Sequence, residues 1–255
     1  MRVAHGRFAG KVALVTGGGT GIGQATALAL AREGAQVVVA GRTTDPLVRT
    51  VKAIEETDGV ASYAIVDVTV DDDVAHLVDL VVQRHGSLDV AVNNAGVPSW
   101  GRLADMDKDE WDPVIAVNLT GTWLCMKHEI KRMCEQGLGA IVNVSSRIGP
   151  HMRVTHQSAY ASSKAAVSTL TRSAAREYIS CGVRINAVSP GPTGTAMALW
   201  PGETPVERGR RVARDIPIGR MASPAEIAMA ILWLASPEAG FVVGHDLVID
   251  GGLSA

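Results

Sequence analysis

The chain has 255 residues, of which 47% are hydrophobic and 20% are charged, and its formal net charge is −2 at pH 7. High apolar content with little net charge excludes an intrinsically disordered protein. The near-neutral balance also excludes bulk electrostatic binding to nucleic acid or to an anionic membrane as the main activity. The length allows one large domain or two small ones.

Cysteine usage and hydropathy bear on the cellular compartment of the protein. Cys125, Cys134 and Cys181 form no CxxC pair, so the sequence predicts neither a disulfide framework nor a metal site, and it favours a reducing compartment. The first apolar run, residues 12–15, is too short for a signal peptide, and no stretch reaches the ~18 apolar residues of a membrane helix. We expect a cytoplasmic protein with no membrane or nucleic-acid partner.

Short β-branched runs alternate with longer helical patterns along the chain. Strands are predicted at Val12–Thr16, Gln36–Ala40, Tyr63–Asp67, Leu88–Val92, Ala140–Ser145, Arg184–Val188 and Asp246–Asp250. Helices are predicted at Ile22–Glu33, Pro46–Thr57, Asp71–His85, Asp109–Glu135, Ser158–Ser180 and Pro224–Ala235. Solid Val/Ile/Leu runs are typical of parallel strands covered on both faces. The prediction is an α/β fold with a single doubly wound parallel sheet over residues 10–255, after an N-terminal tail at residues 1–9, with a ligand crevice at the carboxyl ends of the strands.

A glycine-rich segment joins the first predicted strand to the first helix. Its glycines are Gly17, Gly18, Gly19, Gly21 and Gly23, interrupted by Thr20 and Ile22. Glycine lets the backbone approach a pyrophosphate whose charge is met by the helix N-terminus. A plain turn is the alternative, but it does not require so many glycines. The spacing Gly-x-x-x-Gly-x-Gly therefore favours nucleotide binding, although it is not the G-x-G-x-x-G form.

The end of the second predicted strand bears on the choice of dinucleotide. An acid is expected there to hold the adenosine ribose, but the sequence runs Gly41-Arg42. A guanidinium suits a 2′-phosphate through forked, charge-assisted contacts. The sequence thus favours NADP, with NAD as the second possibility and a merely solvated Arg42 as the structural alternative.

Polar residues at three further places are candidates for chemistry. The run Asn93-Asn94-Ala95-Gly96 ends the fourth strand, where its amides can connect neighbouring loops. Asn118 lies among apolar residues, which is costly unless its amide is hydrogen-bonded. Tyr160 and Lys164 stand four apart on one helical face, where an ammonium favours the phenolate; alone, such a pair is more often a surface contact.

Taken in order, these motifs resemble the short-chain dehydrogenase/reductase family over essentially all of residues 10–255. The motifs are Thr16-Gly17-x-x-x-Gly21-Ile22-Gly23, Asn93-Asn94-Ala95-Gly96, Asn118, Ser145-Ser146, Tyr160-x-x-x-Lys164 and Pro190-Gly191. The resemblance implies a Rossmann-type sheet of seven strands, a nicotinamide cofactor and a homo-oligomer, with a tetramer favoured.

The resemblance also assigns roles. Tyr160 would be the general acid/base, and Lys164 would lower its pKa and hold the nicotinamide ribose. Ser146, favoured over Ser145, would hold the substrate oxygen, and Asn118 would anchor a water that links Lys164 to solvent. The remaining cofactor-binding residues would be Gly17, Gly19, Thr20, Gly21, Ile22, Gly23, Arg42, Asp67, Val68, Asn94, Ala95, Gly96, Pro190, Gly191, Thr193 and Thr195.

Residues outside the shared motifs are candidates for substrate contact. They are Trp100, His151, Met152, Arg153, His156, Met197 and Trp200. The basic segment Glu207–Arg214 is predicted to form a mobile helix over the site that receives an acidic substrate or carrier; a solvated face is the alternative.

The expected function is hydride transfer between a nicotinamide cofactor and a small-molecule carbonyl or secondary alcohol. An NAD-linked alcohol dehydrogenase and a non-catalytic dinucleotide sensor are the alternatives. The presence of all four of Asn118, Ser146, Tyr160 and Lys164 favours an enzyme over a sensor. An apolar C-terminal part, Ile227–Leu253, adds to the expectation of a homo-oligomer.

Overall fold

The computed structural model describes residues 6–198 and 202–255, and it contains a parallel sheet of seven strands in the order β3-β2-β1-β4-β5-β6-β7. The strands are β1 Val12–Thr16, β2 Gln36–Gly41, β3 Val60–Ile65, β4 Val90–Asn93, β5 Gly139–Val144, β6 Val183–Pro190 and β7 Asp246–Ile249. The α-helices are α1 Gly21–Arg32, α2 Thr44–Glu55, α3 Asp71–His85, α4 Lys108–Ile115, α5 Thr122–Gln136, α6 Ser158–Tyr178, α7 Pro205–Asp215 and α8 Pro224–Ala235. The predicted fold class is confirmed.

The strand sequences explain why both faces of the sheet are covered. Successive side chains of a strand point to opposite faces. In β1, Ala13 and Val15 belong to one apolar core together with residues of α1 and α8, whereas Val12 and Leu14 belong to a second core with residues of α3, α5 and α6. Every side chain of β1 is therefore buried, which explains the unbroken apolar run.

The order of the strands reverses at β1, which pairs with β2 on one side and with β4 on the other. Chain connections leave the sheet in opposite directions at such a point, so a crevice opens at the carboxyl ends of these strands. The loops that follow β1 and β4 meet there, and both carry motifs singled out from the sequence.

Residues 6–9, assigned to an N-terminal tail by the sequence, instead pack on the sheet and its helices. Phe8 is 2% exposed and belongs to the core that contains α1. Its backbone N–H donates to the carbonyl of Glu33 at 3.0 Å, and the Arg7 guanidinium forms a salt bridge with the Glu33 carboxylate. This segment is short and mostly polar, so its composition did not indicate that Phe8 is buried in the core.

Several element boundaries differ from the prediction. Strand β3 spans Val60–Ile65 and so begins three residues before the predicted start; it is an edge strand whose side chains are largely exposed. Leu88 precedes β4 because its backbone N–H and carbonyl bind the Gln136 side chain instead of a neighbouring strand.

The helix predicted at Asp109–Glu135 is divided into α4, a π-helical segment at Ala116–Gly121, and α5. A π turn is rare and is embedded in an α-helix, so the sequence predicted one continuous helix here. No helix among the described residues is both long and apolar enough to cross a membrane.

Candidate active site

A cleft of about 720 Å³ lies at the carboxyl edge of the sheet, where the strand order reverses. Predicted residues from four separate loops and from helix α6 line it together. They are Gly17, Thr20, Gly21, Ile22, Asn94, Ala95, Gly96, Ser145, Ser146, Tyr160, Lys164, Pro190, Gly191, Thr193 and Thr195. The carboxyl ends of parallel strands bring these distant segments to one place.

The loops after β1 and β4 are joined by hydrogen bonds. The Thr16 hydroxyl accepts from the N–H groups of Asn94 and Ala95 at 3.1 and 3.2 Å. In return, the Asn94 amide donates to the carbonyls of Thr16 and Gly17 at 3.1 and 3.2 Å. Asn94 therefore supports the floor of the cleft through side-chain contacts with the glycine-rich segment.

Close packing explains two of the glycines. Gly17 has a φ of +62°, in the left-handed region, and a Cβ there would lie 2.8 Å from the amide nitrogen of Asn94. A Cβ on Gly23 would lie 2.3 Å from the carbonyl oxygen of Gly17. Larger residues at either position would push the loop into the cleft.

The first turn of α1 opens into the cleft and fits a dinucleotide pyrophosphate. Helix α1 begins at Gly21 with no acidic residue in its first turn, and Thr20 makes no side-chain capping bond. The N–H groups of a first turn have no intrahelical acceptor, and the helix dipole favours an anion beside them. Thr195 closes over this turn, because a Cβ on Gly21 would lie 3.1 Å from its methyl group.

Asn118 lies in the π-helical segment and is fully paired with the loop after β4. Its side-chain oxygen accepts from the N–H of Val97 at 2.8 Å, and its amide donates to the Val97 carbonyl at 3.0 Å and to the Ser163 hydroxyl at 3.1 Å. A Cβ on Gly96 would lie 3.2 Å from this oxygen and 3.5 Å from the Lys164 ammonium. Asn118 and Lys164 thus flank Gly96 from two sides.

Lys164 is a buried ammonium that is hydrogen-bonded to the sheet. Its Nζ donates to the Val144 carbonyl at 2.8 Å and stands 5.8 Å from the centre of the Tyr160 ring. Burial lowers the pKa of Lys164 to about 8. The positive charge of Lys164 therefore lies close to the Tyr160 phenol, although burying the ammonium removes its favourable contacts with water.

The two serines after β5 point to different places. The Ser145 hydroxyl donates to the Lys164 carbonyl at 2.9 Å and lies 2.8 Å from that of Ser168. The Ser146 hydroxyl accepts from the N–H of Ile148 at 3.1 Å, and it lies near enough to Tyr160 to lower the pKa of the phenol. Ser146 is thus the serine beside the phenol.

The Tyr160 phenol differs from expectation in one respect. Its pKa is raised, because burial disfavours the phenolate more than the hydrogen bond from Ser146 favours it. A lowering by Lys164 was expected, but the ammonium is itself desolvated and engaged with Val144. The phenol of this chain is accordingly a protonated group at neutral pH.

Other predicted cofactor residues lie outside the lining of the cleft. Arg42 is exposed after β2, and its charge contributes to lowering the pKa of Asp67, although hydrogen bonds from Thr69 do so more strongly. Val68 is buried beside Gly121, and Gly19 packs on Pro46.

The substrate-contact candidates divide into two groups. Trp100 and Met197 line the cleft. His151, Met152, Arg153 and His156 do not, and the His151 ring is instead bound to the Asp246 carboxylate at 3.0 Å. Trp200 lies outside the described residues. Sequence reasoning missed the lining residues Ser99, Arg147, Ile148, Val154, Gln157 and Arg211 as individuals, although Arg147 directly follows the Ser145-Ser146 motif and Arg211 belongs to the basic segment.

Comparison with known proteins identifies relatives that match almost the whole chain. The family model described as Enoyl-(Acyl carrier protein) reductase matches residues 17–254. Cis-4-hydroxycyclohexanecarboxylate dehydrogenase of Sinomonas cyclohexanicum is 43% identical, and the match covers 97% of this chain and 98% of that protein.

Solved structures agree with this result. The crystal structure of levodione reductase superposes with a TM-score of 0.92 at 34% identity, covering 97% of this chain and 98% of that one. A variant of actinorhodin polyketide ketoreductase, solved with NADPH, gives a TM-score of 0.91 at 35% identity, with coverage of 97% and 98%. With the family model, the relatives and the fold in agreement, the chain belongs to the short-chain dehydrogenase/reductase family of oxidoreductases.

Proposed function

We propose that this protein transfers a hydride between a nicotinamide cofactor and a small carbonyl compound or secondary alcohol, with Tyr160 as the general acid/base. The observation that carries the proposal is that Ser146, Tyr160 and Lys164 line the same cleft as the glycine-rich segment. A proton donor in this position would suit a nicotinamide ring bound along the same cleft.

The residues of the chain have separate roles in this reaction. The bound nicotinamide supplies or accepts the hydride. As a carbonyl becomes an alcohol, its oxygen gains negative charge and needs a proton. Tyr160, kept protonated by burial, gives its proton to that oxygen, and Ser146 donates a hydrogen bond to the same atom. In the oxidation direction Tyr160 takes the proton back.

Lys164 and Asn118 support the phenol. The Lys164 charge, 5.8 Å from the ring centre, stabilises the phenolate that forms when Tyr160 loses its proton. Asn118 holds the Val97 backbone next to Gly96 and fixes the wall against which the nicotinamide ribose would lie.

The preferred cofactor is NADP, with NAD as the alternative. Arg42 stands exposed at the end of β2, where a forked guanidinium suits a 2′-phosphate. Gly17, Gly19, Thr20, Gly21, Ile22, Gly23, Asp67, Val68, Asn94, Ala95, Gly96, Pro190, Gly191, Thr193 and Thr195 complete the proposed cofactor site.

The experiment is an assay of cyclic and open-chain ketones and secondary alcohols with NADPH and NADH in parallel, read at the nicotinamide absorbance. We expect turnover of at least one ketone–alcohol pair, with NADPH preferred. Tight nucleotide binding without turnover of any pair would instead support the sensor. The homo-oligomer and the cytoplasmic location remain predictions.

A further inference from the structure

Arg147 directly follows Ser146 and lines the cleft. Its backbone is held firmly, because its N–H donates to the Pro190 carbonyl at 3.1 Å, and its carbonyl accepts from the N–H groups of His151 and Met152 at 3.2 and 2.8 Å. The base of the side chain is therefore positioned by a hydrogen-bonded turn.

The Arg147 guanidinium is partly buried, and it forms no salt bridge with a carboxylate among the described residues. Burial lowers its pKa, and Asp250 offsets this only in part, from a distance. Among the described residues, its hydrogen-bond partner is the thioether of Met152, which is a weak acceptor. The Asp250 carboxylate is itself occupied by the Gly252 N–H and the Ser254 hydroxyl. A desolvated cation without a strong acceptor is costly.

Another buried arginine of this chain shows how such a cation is usually satisfied. Arg184 is also desolvated, but its guanidinium donates to backbone carbonyls at 2.8 to 3.1 Å, those of Leu234, Ala235, Ser236 and Ala239. Arg184 therefore serves structure, whereas Arg147 lines the cleft and has only a weak thioether acceptor among the described residues.

A second guanidinium raises the positive potential of the cleft. Arg211 of α7 lines the same space and forms a forked pair with the Glu203 carboxylate at 2.6 and 2.8 Å. It lies close enough for its charge to lower the pKa of Arg147. The charge of Arg211 is balanced by Glu203, while that of Arg147 is not matched by a salt bridge within the described residues. The excess positive charge favours an anion.

We propose that Arg147 binds an anionic group of the substrate, a carboxylate or a group of like charge, and so selects oxo acids and hydroxy acids over neutral carbonyl compounds. The planar fork of a guanidinium matches a carboxylate through paired hydrogen bonds. This inference rests on the proposed function, since it assigns the substrate class of the same cleft.

The first test compares a charged and a neutral form of one ketone. The kcat/KM values of 4-oxocyclohexanecarboxylate and of its methyl ester are measured for the native protein, for Arg147→Gln and for Arg153→Gln. Arg153 is an exposed arginine of the same loop and provides a matched loss of charge. We expect the ratio of kcat/KM for the acid to kcat/KM for the ester to fall about 10–100-fold in Arg147→Gln, because charge-assisted hydrogen bonds are lost. The ratio should remain unchanged in Arg153→Gln. Arg147→Lys should give an intermediate ratio.

A second test needs no turnover. Binding of cyclohexanecarboxylate, which has no carbonyl on its ring, is measured by calorimetry on the NADP⁺-saturated protein. We expect at least tenfold weaker binding in Arg147→Gln than in the native protein or Arg153→Gln. If this difference is found but no ketone or alcohol of the wider assay is turned over, Arg147 binds an anion in the cleft and the proposed function alone fails.

Three results would overturn the inference. The first is an acid-to-ester ratio that Arg147→Gln leaves unchanged. The second is cyclohexanecarboxylate binding that is absent from the native protein or equal in Arg147→Gln. The third is a tenfold rise in the KM for NADPH in Arg147→Gln with an unaltered substrate ratio, because the anion bound by Arg147 would then belong to the cofactor.

Discussion

Lys164 connects the central sheet to the proposed catalytic residues through a single side chain. Its ammonium is buried and donates to the Val144 carbonyl, the last residue of β5, and burial lowers its pKa to about 8. A lysine with this pKa loses part of its charge just above neutral pH. In the proposed reaction, its support for the phenolate would weaken there.

The sequence predicted that Tyr160 and Lys164 lie close together, but it did not predict their electrostatics. The spacing of Tyr160 and Lys164 indicates that they share a helical face, and they do lie near each other. The sequence does not reveal that burial outweighs the ammonium at Tyr160, because desolvation depends on residues brought in from other elements. Contacts with other elements also explain why the sequence did not identify Arg147 as a cleft residue and why it placed His151 among the substrate-contact candidates.

The exposed Arg42 gives a prediction about cofactor choice. Arg42→Ala should raise the KM for NADPH about 10–100-fold and alter that for NADH little, because only NADPH carries the phosphate that the guanidinium would hold. Arg32→Ala, which removes an exposed arginine at the end of α1, serves as the control. Steady-state kinetics with both cofactors measures the effect. An equal rise for both, or a native preference for NADH, would contradict it.

At the scale of elements, strand and helix types follow from the apolar pattern, while boundaries depend on neighbours. Helices α3 and α8 have the predicted bounds, since acidic residues or a capping Ser-x-x-Glu mark their starts. The π-helical segment was missed, because the signal for it is the pairing of Asn118 with Val97 in another loop. The spacing of apolar residues within one helix does not indicate a contact with a separate loop.

Helix α5 also buries a carboxyl group against the sheet. Glu129 accepts from the Asn93 amide at 2.9 Å, and burial raises its pKa from 4.5 to about 7. Among the described residues, Glu129 Oε1 and Asn93 Oδ1 have no hydrogen-bond partner. Both atoms are acceptors, so a protonated Glu129 supplies the donor that they lack.

This arrangement makes stability depend on pH. Between about pH 4.5 and 7 the folded state keeps the Glu129 proton and the unfolded state releases it, so the free energy of unfolding falls as pH rises, by about 3 kcal/mol in all. Glu129→Gln carries permanent donors and should lose this decline. Thermal unfolding at pH 5 to 8 measures it, with the exposed Glu135→Gln of the same helix as control. Parallel pH profiles for the native protein and Glu129→Gln would refute the assignment.

At the scale of the whole molecule, large apolar side chains remain uncovered near the C-terminus. Phe241 is fully exposed, and Met229 and Trp233 of α8 are 50% and 37% exposed. Met229 and Trp233 stand one helical turn apart, and exposed large apolar side chains of this kind are typical of contacts between subunits. The sequence indicated an apolar C-terminal part, but only the packing of α8 shows which of its side chains stay outside the core.

We therefore predict a homo-oligomer that depends on this surface. Phe241→Asp should shift the species seen by light scattering at micromolar concentration toward smaller mass, because a charge on an apolar interface is costly to bury. Val206→Asp, which alters an exposed apolar residue of α7, should leave the mass unchanged. A monomeric mass for the native protein would rule out the prediction.

The most direct measurement of the proposed chemistry is the turnover of Tyr160→Phe on a ketone that the native protein reduces. Removing the phenol hydroxyl leaves the developing charge on the substrate oxygen without its proton donor, so kcat should fall by about 10²–10⁴. NADPH binding should remain within a few-fold of the native value, and Tyr178→Phe, at the far end of the same helix α6, should keep full activity. Turnover of Tyr160→Phe within twofold of the native rate would contradict the role of Tyr160 as the general acid/base.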